Sequence, residues 1–446
     1  MFSKIIEAGE RLAFRLEPGA AVRLLKFTPD SAVNALQRAR FRHTIRLVAE
    51  RSPFYREQFQ RRGIDPRRIE HPSQLGDFYT TGDDLRARTE DFIIGRANIA
   101  FETTGTTSAV PKRVFFSNRE IDEMGHASAI GLSSLGLRRT DKVLSAFDCS
   151  FWVSPAVVRS ALQYIGCFQV EAGKINPLEF YQRASFYRPN VIFGEPSWIV
   201  RLSAVAAERG VWPVKFLFAG GENIAETARA RVEETWNAPL YLNYGQTESF
   251  GAIGIECKEK NGYHRNDVDF VFEIADKDEI GGGELVYTTL TRDVMPLIRY
   301  RSTDVTHLID EPCACGFFTK RIAKIRARTD EMVVCGMGNV GPWVFAEILR
   351  GVNGSAPEWQ ALVKHVHGRD IVELQVETNS PTQQTELQTI VLDHLKERFP
   401  DFWKNYEMKL YDFNLKTSPP GTLRTGRKLR RVVDQRLMTA STQRNP

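Results

Sequence analysis

From about residue 140 the sequence alternates short β-branched or apolar runs with amphipathic helical segments, and few folds can absorb that pattern. "DKVLSAF" is followed by helical "PAVVRSALQYI", "GCFQVEAG" by "PLEFYQRASFY", and "PNVIFGEP" by "SWIVRLSAVAAERG". "VKFLFAGG" and helical "AETARARVEETW" then lead to "APLYLNYG". Strands separated by helices pair in parallel, because each helix carries the chain back across the sheet. The expected class is therefore α/β, a mostly parallel sheet covered by helices. Ligands of such sheets gather at the carboxyl ends of the strands, so the loops after these runs are the places to search.

The flanking regions read differently. The first hundred residues are helical and charged, as in "NALQRARFRHTIRLVAERSPFYREQFQRRG". From about residue 256 the texture turns to β, and "GGGELVYTTLTRDVMPLIRYRSTDVTHLI" reads as hairpins. A smaller α+β unit follows "RIAKIRARTDEMVV", with helices near "WVFAEILRG" and "QTELQTIVLDHLKERF" and a strand near "IVELQVET". The break falls near Asp330, giving domains 1–329 and 330–446. A chain of 446 residues has length enough for cores in both. A net charge of +5 is small for that length, and without a long Lys/Arg block it gives no support to a nucleic-acid partner. No run approaches the roughly 18–20 apolar residues of a membrane span. "MFSKIIEAGERLAFRLEPG" is interrupted by charges and reads as an amphipathic helix, not a secretion signal. Six cysteines fit a reduced cytoplasm.

Two local patterns carry chemistry. "TTGTTSAVPK" surrounds Gly105 with hydroxyls from Thr103, Thr104, Thr106, Thr107 and Ser108, and Lys112 follows. Hydroxyls, backbone N–H groups and an ammonium suit phosphate oxygens. The G-x-x-x-x-G-K-[ST] pattern fails, however, because Val110 and Pro111 stand where glycine and lysine are needed. Read alone, the stretch is more simply a polar turn. The second pattern is Cys257, His264, Cys313 and Cys315, four zinc-type ligands in one β-rich region. The C-x-C spacing is tighter than the usual C-x2-C, and buried thiols beside a surface histidine are the alternative. A structural zinc with no open position is the expectation.

The hydroxyl loop acquires meaning from its company. It is followed in order by "AGGE" at Ala219–Glu222, "YGQTE" at Tyr244–Glu248 and "YRSTD" at Tyr300–Asp304. "RARTDEM" at Arg326–Met332 and "LRTGRKLRRV" at Leu423–Val432 complete the series. This series resembles the acyl-adenylate-forming superfamily, and most closely its phenylacetate–CoA ligase branch. "SPFYREQF", "TTGDDLRAR", "IECKEKNGYH" and "CACG" extend the branch likeness over most of the chain.

The resemblance implies that a carboxylate attacks the α-phosphate of ATP, forming an acyl-AMP that a thiol then converts to a thioester. By the family pattern, Thr103–Ser108 and Lys112 hold phosphates. Tyr244 packs on adenine, while Gly220, Gly221, Glu222 and Gly245 shape its seat. Thr247 contacts the α-phosphate, Glu248 binds Mg2+, Asp304 accepts from the ribose hydroxyls, and Arg301 or Arg328 reaches the nucleotide. Lys428 stands at the adenylation lysine's place, Asp330 at the hinge of a mobile C-terminal domain, and Gly336 and Gly338 beside the thiol's path. The loop departs from the family in one respect: Ser108, Ala109 and Val110 replace a glycine and lysine. The branch's aryl or arylacetic acids would be lined by Phe147, Asp148, Phe151, Trp198, Phe250 and Ala252, with Asp148 or Glu195 reading a polar substituent. The implied thiol is that of coenzyme A, or alternatively the phosphopantetheine of an acyl carrier protein. A second copy of the chain, in a homodimer, is a further expected partner.

Overall fold

The computed structural model describes residues 16–436 apart from 104–110, 148, 150, 223, 225, 278–281, 318, 330–332, 336–337, 351–356, 367–368, 380–383, 408, 410 and 425–428. The amphipathic segment expected at the N-terminus lies outside these residues except for its end, which opens α1 (Pro18–Leu25). α2 (Asp30–Arg51) and α3 (Pro53–Arg62) are separated by Ser52 alone. The Ser52 hydroxyl accepts from Tyr55 N at 3.3 Å, and Pro53 fills the first helical position, where its missing N–H costs nothing. After α4 (Gly82–Ala87), the antiparallel pair β1 (Ile99–Glu102) and β2 (Arg113–Phe116) brackets the hydroxyl-rich loop. α5 (Asn118–Ser134) then starts on a capping box between Ser117 and Glu120.

The alternating region folds as its pattern requires. Its elements are β3 (Lys142–Ser145), α6 (Ser154–Ile165), β4 (Phe168–Glu171), α7 (Pro177–Tyr187), β5 (Val191–Gly194) and α8 (Pro196–Arg209). β6 (Phe216–Gly220), α9 (Glu226–Trp236) and β7 (Leu240–Gln246) follow. These strands are parallel, in the order β4-β3-β5-β6-β7. The order reverses at β3, which places a crevice beyond the carboxyl ends of β3 and β5. Phe193, Phe216 and Phe218 point from one face into a cluster with Ala129 and Leu132 of α5 and Ala161 and Leu162 of α6. Ile192 and Leu217 are buried on the other face by the two-residue alternation of the strands.

The β texture after residue 250 does not form a separate sheet from the start. β8 (Gly251–Ile255) reverses direction against β7, and β9 (Tyr263–Arg265) continues the same sheet. β13 (Leu308–Ile309) and β14 (Arg321–Ile322) extend it to nine strands. β10 (Phe270–Ala275), β11 (Gly283–Thr289) and β12 (Tyr300–Thr306) make a second sheet, and β15 (Ala327–Arg328) pairs with β12. A buried ion pair braces the reversal. Arg229 of α9 meets Glu256 twice, Nη1–Oε1 at 3.0 Å and Nη2–Oε2 at 2.6 Å, while Glu256 also accepts from Leu242 N at 2.8 Å.

Contacts among the residues divide the chain into two units. The first is drawn from residues up to Lys324 apart from Thr303–Val305, and the second from Thr303–Val305 and Ile325 onward. The second contains β16 (Val333–Cys335), β17 (Gly338–Val340), α10 (Pro342–Ile348) and a four-stranded sheet. That sheet runs β20 (Tyr411–Ser418), β19 (Arg369–Glu377), β18 (Trp359–Val366), β21 (Val432–Asp434), and is packed by α11 (Gln384–Arg398) and α12 (Pro400–Glu407). Phe345, Val372, Val391 and Phe413 centre a core of its own. Among the described residues no helix is long and apolar enough to cross a membrane.

Glu256→Ala takes the bidentate carboxylate from the buried Arg229, leaving the longer contact with Glu233 at 3.3 Å as its carboxylate partner, and is expected to cost about 3 kcal/mol. Urea denaturation monitored by tryptophan fluorescence measures the loss. A change below 1 kcal/mol would show that the pair does not hold the joint.

Candidate active site

The carboxyl ends of β3, β6 and β7 and the loops after them carry one group of the singled-out residues. Gly220 ends β6, and a Cβ placed there would lie 2.0 Å from Asn243 Oδ1. Gly221 has φ 89°, and its Cβ would meet the Trp152 ring at 3.0 Å. Only glycine fits at either position. Asn243 Oδ1 is buried and receives no hydrogen bond among the described residues. Glu222 serves the frame: its Oε2 accepts from Ser197 N at 3.2 Å, in the first turn of α8, where the helix dipole favours a carboxylate.

After β7 the chain turns tightly through Thr247, Glu248 and Ser249, all buried. Gly245 is obligatory here, since a Cβ would approach Gly251 O to 2.0 Å. Gln246 holds the turn by donating Nε2–H to Ser302 O at 2.9 Å and accepting from the Tyr287 hydroxyl at 3.2 Å. Tyr244 is buried on β7 with its ring 5.9 Å from that of Tyr263.

Glu248 is the electrostatic centre. Its Oε1 accepts from the Tyr300 hydroxyl at 2.8 Å and forms an ion pair with Lys112 Nζ, which also donates to Tyr300 at 3.2 Å. Burial by itself would raise this carboxyl. The Lys112 charge and the hydrogen bonds from Lys112 and Tyr300 outweigh it and hold the group below its ordinary value. Lys112, Glu248 and Tyr300 come from three different motifs. Thr103 closes the base of the hydroxyl loop against Lys112, with Thr103 N donating to Lys112 O at 3.0 Å and Thr103 Oγ1 accepting from Lys112 N at 3.2 Å. Tyr300 is pinned in turn by Thr80, whose N–H donates to Arg299 O and whose carbonyl accepts from Arg301 N.

In the second unit, Asp304 lies opposite Arg328, with Nη1–Oδ1 at 3.7 Å, and Arg328 also donates to Thr303 Oγ1 at 2.7 Å. Arg301 is engaged by Glu284 at 2.9 Å and by Asp276. Gly338 lies opposite Cys335 in the β16–β17 pair. Thr104, Gly105, Thr106, Thr107, Ser108, Asp148, Asp330, Gly336 and Lys428 lie outside the described residues.

A cavity of about 1250 Å3 opens between α5, α6 and the sheet, and Phe147, Gly220, Asn243, Gly251 and Ala252 line its inner end. The other aromatic candidates sit elsewhere. Trp198 is wholly buried beneath Phe180, its indole N–H donating to Ile175 O at 2.8 Å, so it is core and not pocket. Phe250 is buried behind the cavity wall against Phe116, and both rings flank the Arg292 guanidinium, at 4.4 and 4.7 Å. Phe151 is 72% exposed. Glu195 is buried and paired with Lys174, which gives it a partner other than a substrate.

The four metal-type ligands converge. Ligand atoms of Cys257, His264, Cys313 and Cys315 all lie within 4.8 Å of one another. Cys257 Sγ and Cys313 Sγ are 3.7 Å apart, close to the about 3.8 Å that tetrahedral Zn–S bonds of ~2.3 Å require. His264 donates Nδ1–H to Thr319 O at 2.9 Å, which turns the Nε2 lone pair toward Cys315 Sγ, 3.2 Å away. Burial lowers the imidazole's pKa and keeps it neutral, as a ligand must be.

Two residues of this site were not read from the sequence. Tyr300 heads "YRSTD", where the motif drew attention to its aspartate, and Asn243 precedes "YGQTE". Tyr300 meets Glu248 and Lys112 far away in the chain, and Asn243 is set beside Gly220 by the strand pairing, so local pattern gives no cue to either.

The fold, a helix-flanked parallel sheet continued by antiparallel strands, is that of solved acyl-adenylate-forming ligases. A 2-hydroxyisobutyryl-CoA ligase solved with 2-HIB-AMP in the postadenylation state superposes with TM-score 0.75 at 20% identity, over 93% of this chain and 92% of that one. The chain is 28% identical over 439 residues to a phenylacetate–coenzyme A ligase of Thermus thermophilus, covering 92% of this chain and 98% of the relative. It is 27% identical to the phenylacetate–coenzyme A ligase of Aromatoleum evansii, over 81% and 85%. No family model matches. The resemblance read from the motifs is borne out at both levels: the chain has the superfamily's fold, and the curated relatives it is similar to are phenylacetate–CoA ligases.

Lys112→Met strips the buried Glu248 of its counter-charge, and the pH response of stability is expected to reverse. In the natural chain the depressed carboxyl contributes stability above its ordinary value of 4.5, lost as pH falls through the lowered one. In the variant burial raises the carboxyl, so stability falls as pH rises above 4.5. Thermal melts between pH 4 and 8 test this; parallel profiles for the two proteins would refute the assignment.

Proposed function

We propose that the protein is an AMP-forming acid–thiol ligase. It joins a carboxylic acid to AMP at the expense of ATP, releasing pyrophosphate, and passes the acyl group to the thiol of coenzyme A with release of AMP. The observation that carries this reading is the meeting of Lys112, Glu248 and Tyr300, from three separate motifs, in one buried ion cluster. Similarity to phenylacetate–coenzyme A ligases over 92% of the chain supports it and places aryl and arylacetic acids among the candidates to be tried.

Each group then has a task. A carboxylate is a poor electrophile until AMP becomes its leaving group, and the protein's work is to place and neutralise phosphate charge. The Thr103–Ser108 loop grips the outer phosphates, Thr247 the α-phosphate, and Tyr244 packs on adenine beside Gly220 and Gly221. Asp304 and Arg328 take the ribose side. Lys112 is the counter-ion of Glu248, and its ammonium is also of the kind that would suit the phosphates of ATP. Glu248, ionised and buried, fits Mg2+ as a hard oxygen donor, and the ion would supply charge neutralisation to the phosphates. Lys428, carried by the 330–446 domain, bridges acid and α-phosphate, and rotation about Asp330 then exchanges it for the thiol path past Gly336 and Gly338. All six cysteines are free, which suits a reducing cytoplasm.

The test is acid-dependent pyrophosphate release across aryl, arylacetic and aliphatic acids, followed by thioester formation with coenzyme A and, separately, with a holo carrier protein. Glu248→Gln and Lys428→Ala are each expected to lower release by at least about 100-fold. Release from no acid at all would sink the proposal.

The Cys257, His264, Cys313 and Cys315 cluster binds one structural zinc in the same reading. Its four protein ligands close the coordination sphere, so the ion has no part in the chemistry. Metal analysis is expected to find about one zinc per chain. Cys313→Ser is expected to lose it and to melt at least ~5 °C lower. A metal-free natural protein of unchanged melting temperature would contradict this.

A further inference from the structure

The cavity that begins at the proposed acylation site is far larger than a phenylacetyl group needs. An apolar cavity of about 150 Å3 already holds a benzene ring, whereas this one measures about 1250 Å3. That exceeds the roughly 300–1,000 Å3 of drug-sized ligand sites. It lies wholly within the first unit, so its size does not depend on where the second unit stands.

Its shape follows one helix. Arg119, Glu123, His126, Ala127, Ile130 and Gly131 of α5 all line it. They recur at three- and four-residue spacing, which is a single helical stripe. From Gly131 to Arg119 the stripe spans twelve residues, or about 18 Å at 1.5 Å per residue. Val157, Ala161 and Tyr164 of α6 and Ile253 and Ile255 of β8 supply apolar walls along the way. Gly131 matters to the bore, because a Cβ there would reach the Ile255 side chain at 3.4 Å. The far end lies beside α1 and α2. Leu24 lines the cavity there while remaining 59% exposed.

Several ionic groups along the lining are tied to one another: Arg119 to Glu123 at 2.6 Å and Asp293 at 3.2 Å, and Arg40 to Asp269 at 3.0 Å. These pairs ask for no charge on the part of an occupant that passes them. Asp122 and Arg265 also line the cavity, as does Arg292, whose Nη1 and Nη2 are buried with no hydrogen bond among the described residues.

We infer that the acid this enzyme activates carries a long apolar tail, alkyl or aryl-alkyl, which runs from Phe147 and Ala252 along α5 to the mouth at Leu24. The inference rests on the adenylating reading above and names its substrate class. The carboxylate sits at the inner end and the tail extends along the shaft, its end reaching the mouth.

Chain-length profiles of acid-dependent pyrophosphate release decide the matter, using phenylacetate, ω-phenylalkanoates and straight-chain fatty acids of increasing length. A methylene seated in an apolar pocket is worth about 10-fold or more in kcat/KM. The expected profile climbs with length to at least 100-fold above phenylacetate and levels once the shaft is filled. Ala127→Phe and Ala39→Phe, made separately, narrow the shaft at two points. Each is expected to cut the ratio of long-tail to phenylacetate kcat/KM by at least 10-fold. Turnover of phenylacetate without gain from longer tails overturns this inference and leaves the ligase reading standing. A ratio unmoved by both substitutions also overturns it. Should no acid of any length release pyrophosphate, both readings fall together. The natural chain's profile decides by itself if a variant does not fold.

Discussion

The joint between the parallel and antiparallel halves of the nine-stranded sheet depends on one buried ion pair. Arg229 reaches from α9 to Glu256 at the end of β8, and Glu256 also receives Leu242 N from β7. Both side chains are almost wholly out of water, so each relies chiefly on the other, with Glu233 a second and longer partner of Arg229. The pair fixes the reversal of chain direction from which two functional features hang. At one end of the β7–β8 hairpin lies the turn with Glu248; at the other, directly after Glu256, Cys257 begins the metal-type cluster.

The second constraint is the buried carboxylate of Glu248. A low-dielectric surrounding makes an unpaired charge there expensive, and Lys112 and Tyr300 meet that cost with one opposite charge and one hydroxyl donor. The hydroxyl loop is thereby anchored at its base, since Lys112 is also the partner of Thr103. A site arranged to balance charge in this way is suited to exchanging one cation for another when a polyanion arrives. The inner end of the cavity is built differently, from Gly220 and Gly251 and from apolar side chains such as Phe147 and Val157.

Much of the fold could be read in advance because its causes are local. Period-two and helical spacing, proline at helix starts and glycine at their ends set the alternation of β3 to β7 before any tertiary contact. The site was legible where a residue's type alone restricts its use, as with Gly220, Gly221 and the four Cys and His ligands. It was not legible where packing chooses among equivalents. Phe147 and Trp198 are both aromatic residues in or just after strand-end loops, yet one lines the cavity and the other is core, because they emerge on different faces of the sheet. Glu222 and Glu248 both sit in motif loops, but one caps α8 and the other meets a lysine. Tyr300 escaped notice since its importance lies in partners 52 and 188 residues away.

By itself, then, the sequence determined the element order, the parallel half of the sheet and the inventory of chemical groups, since periodicity and composition act over a few residues. Only the tertiary structure decided which cation neutralises Glu248, which aromatic rings line the cavity, and that the cavity runs on along α5 for about 18 Å toward α1. Those outcomes depend on register, on strand face and on space left between packed elements. None of these has a signature within a short window of sequence.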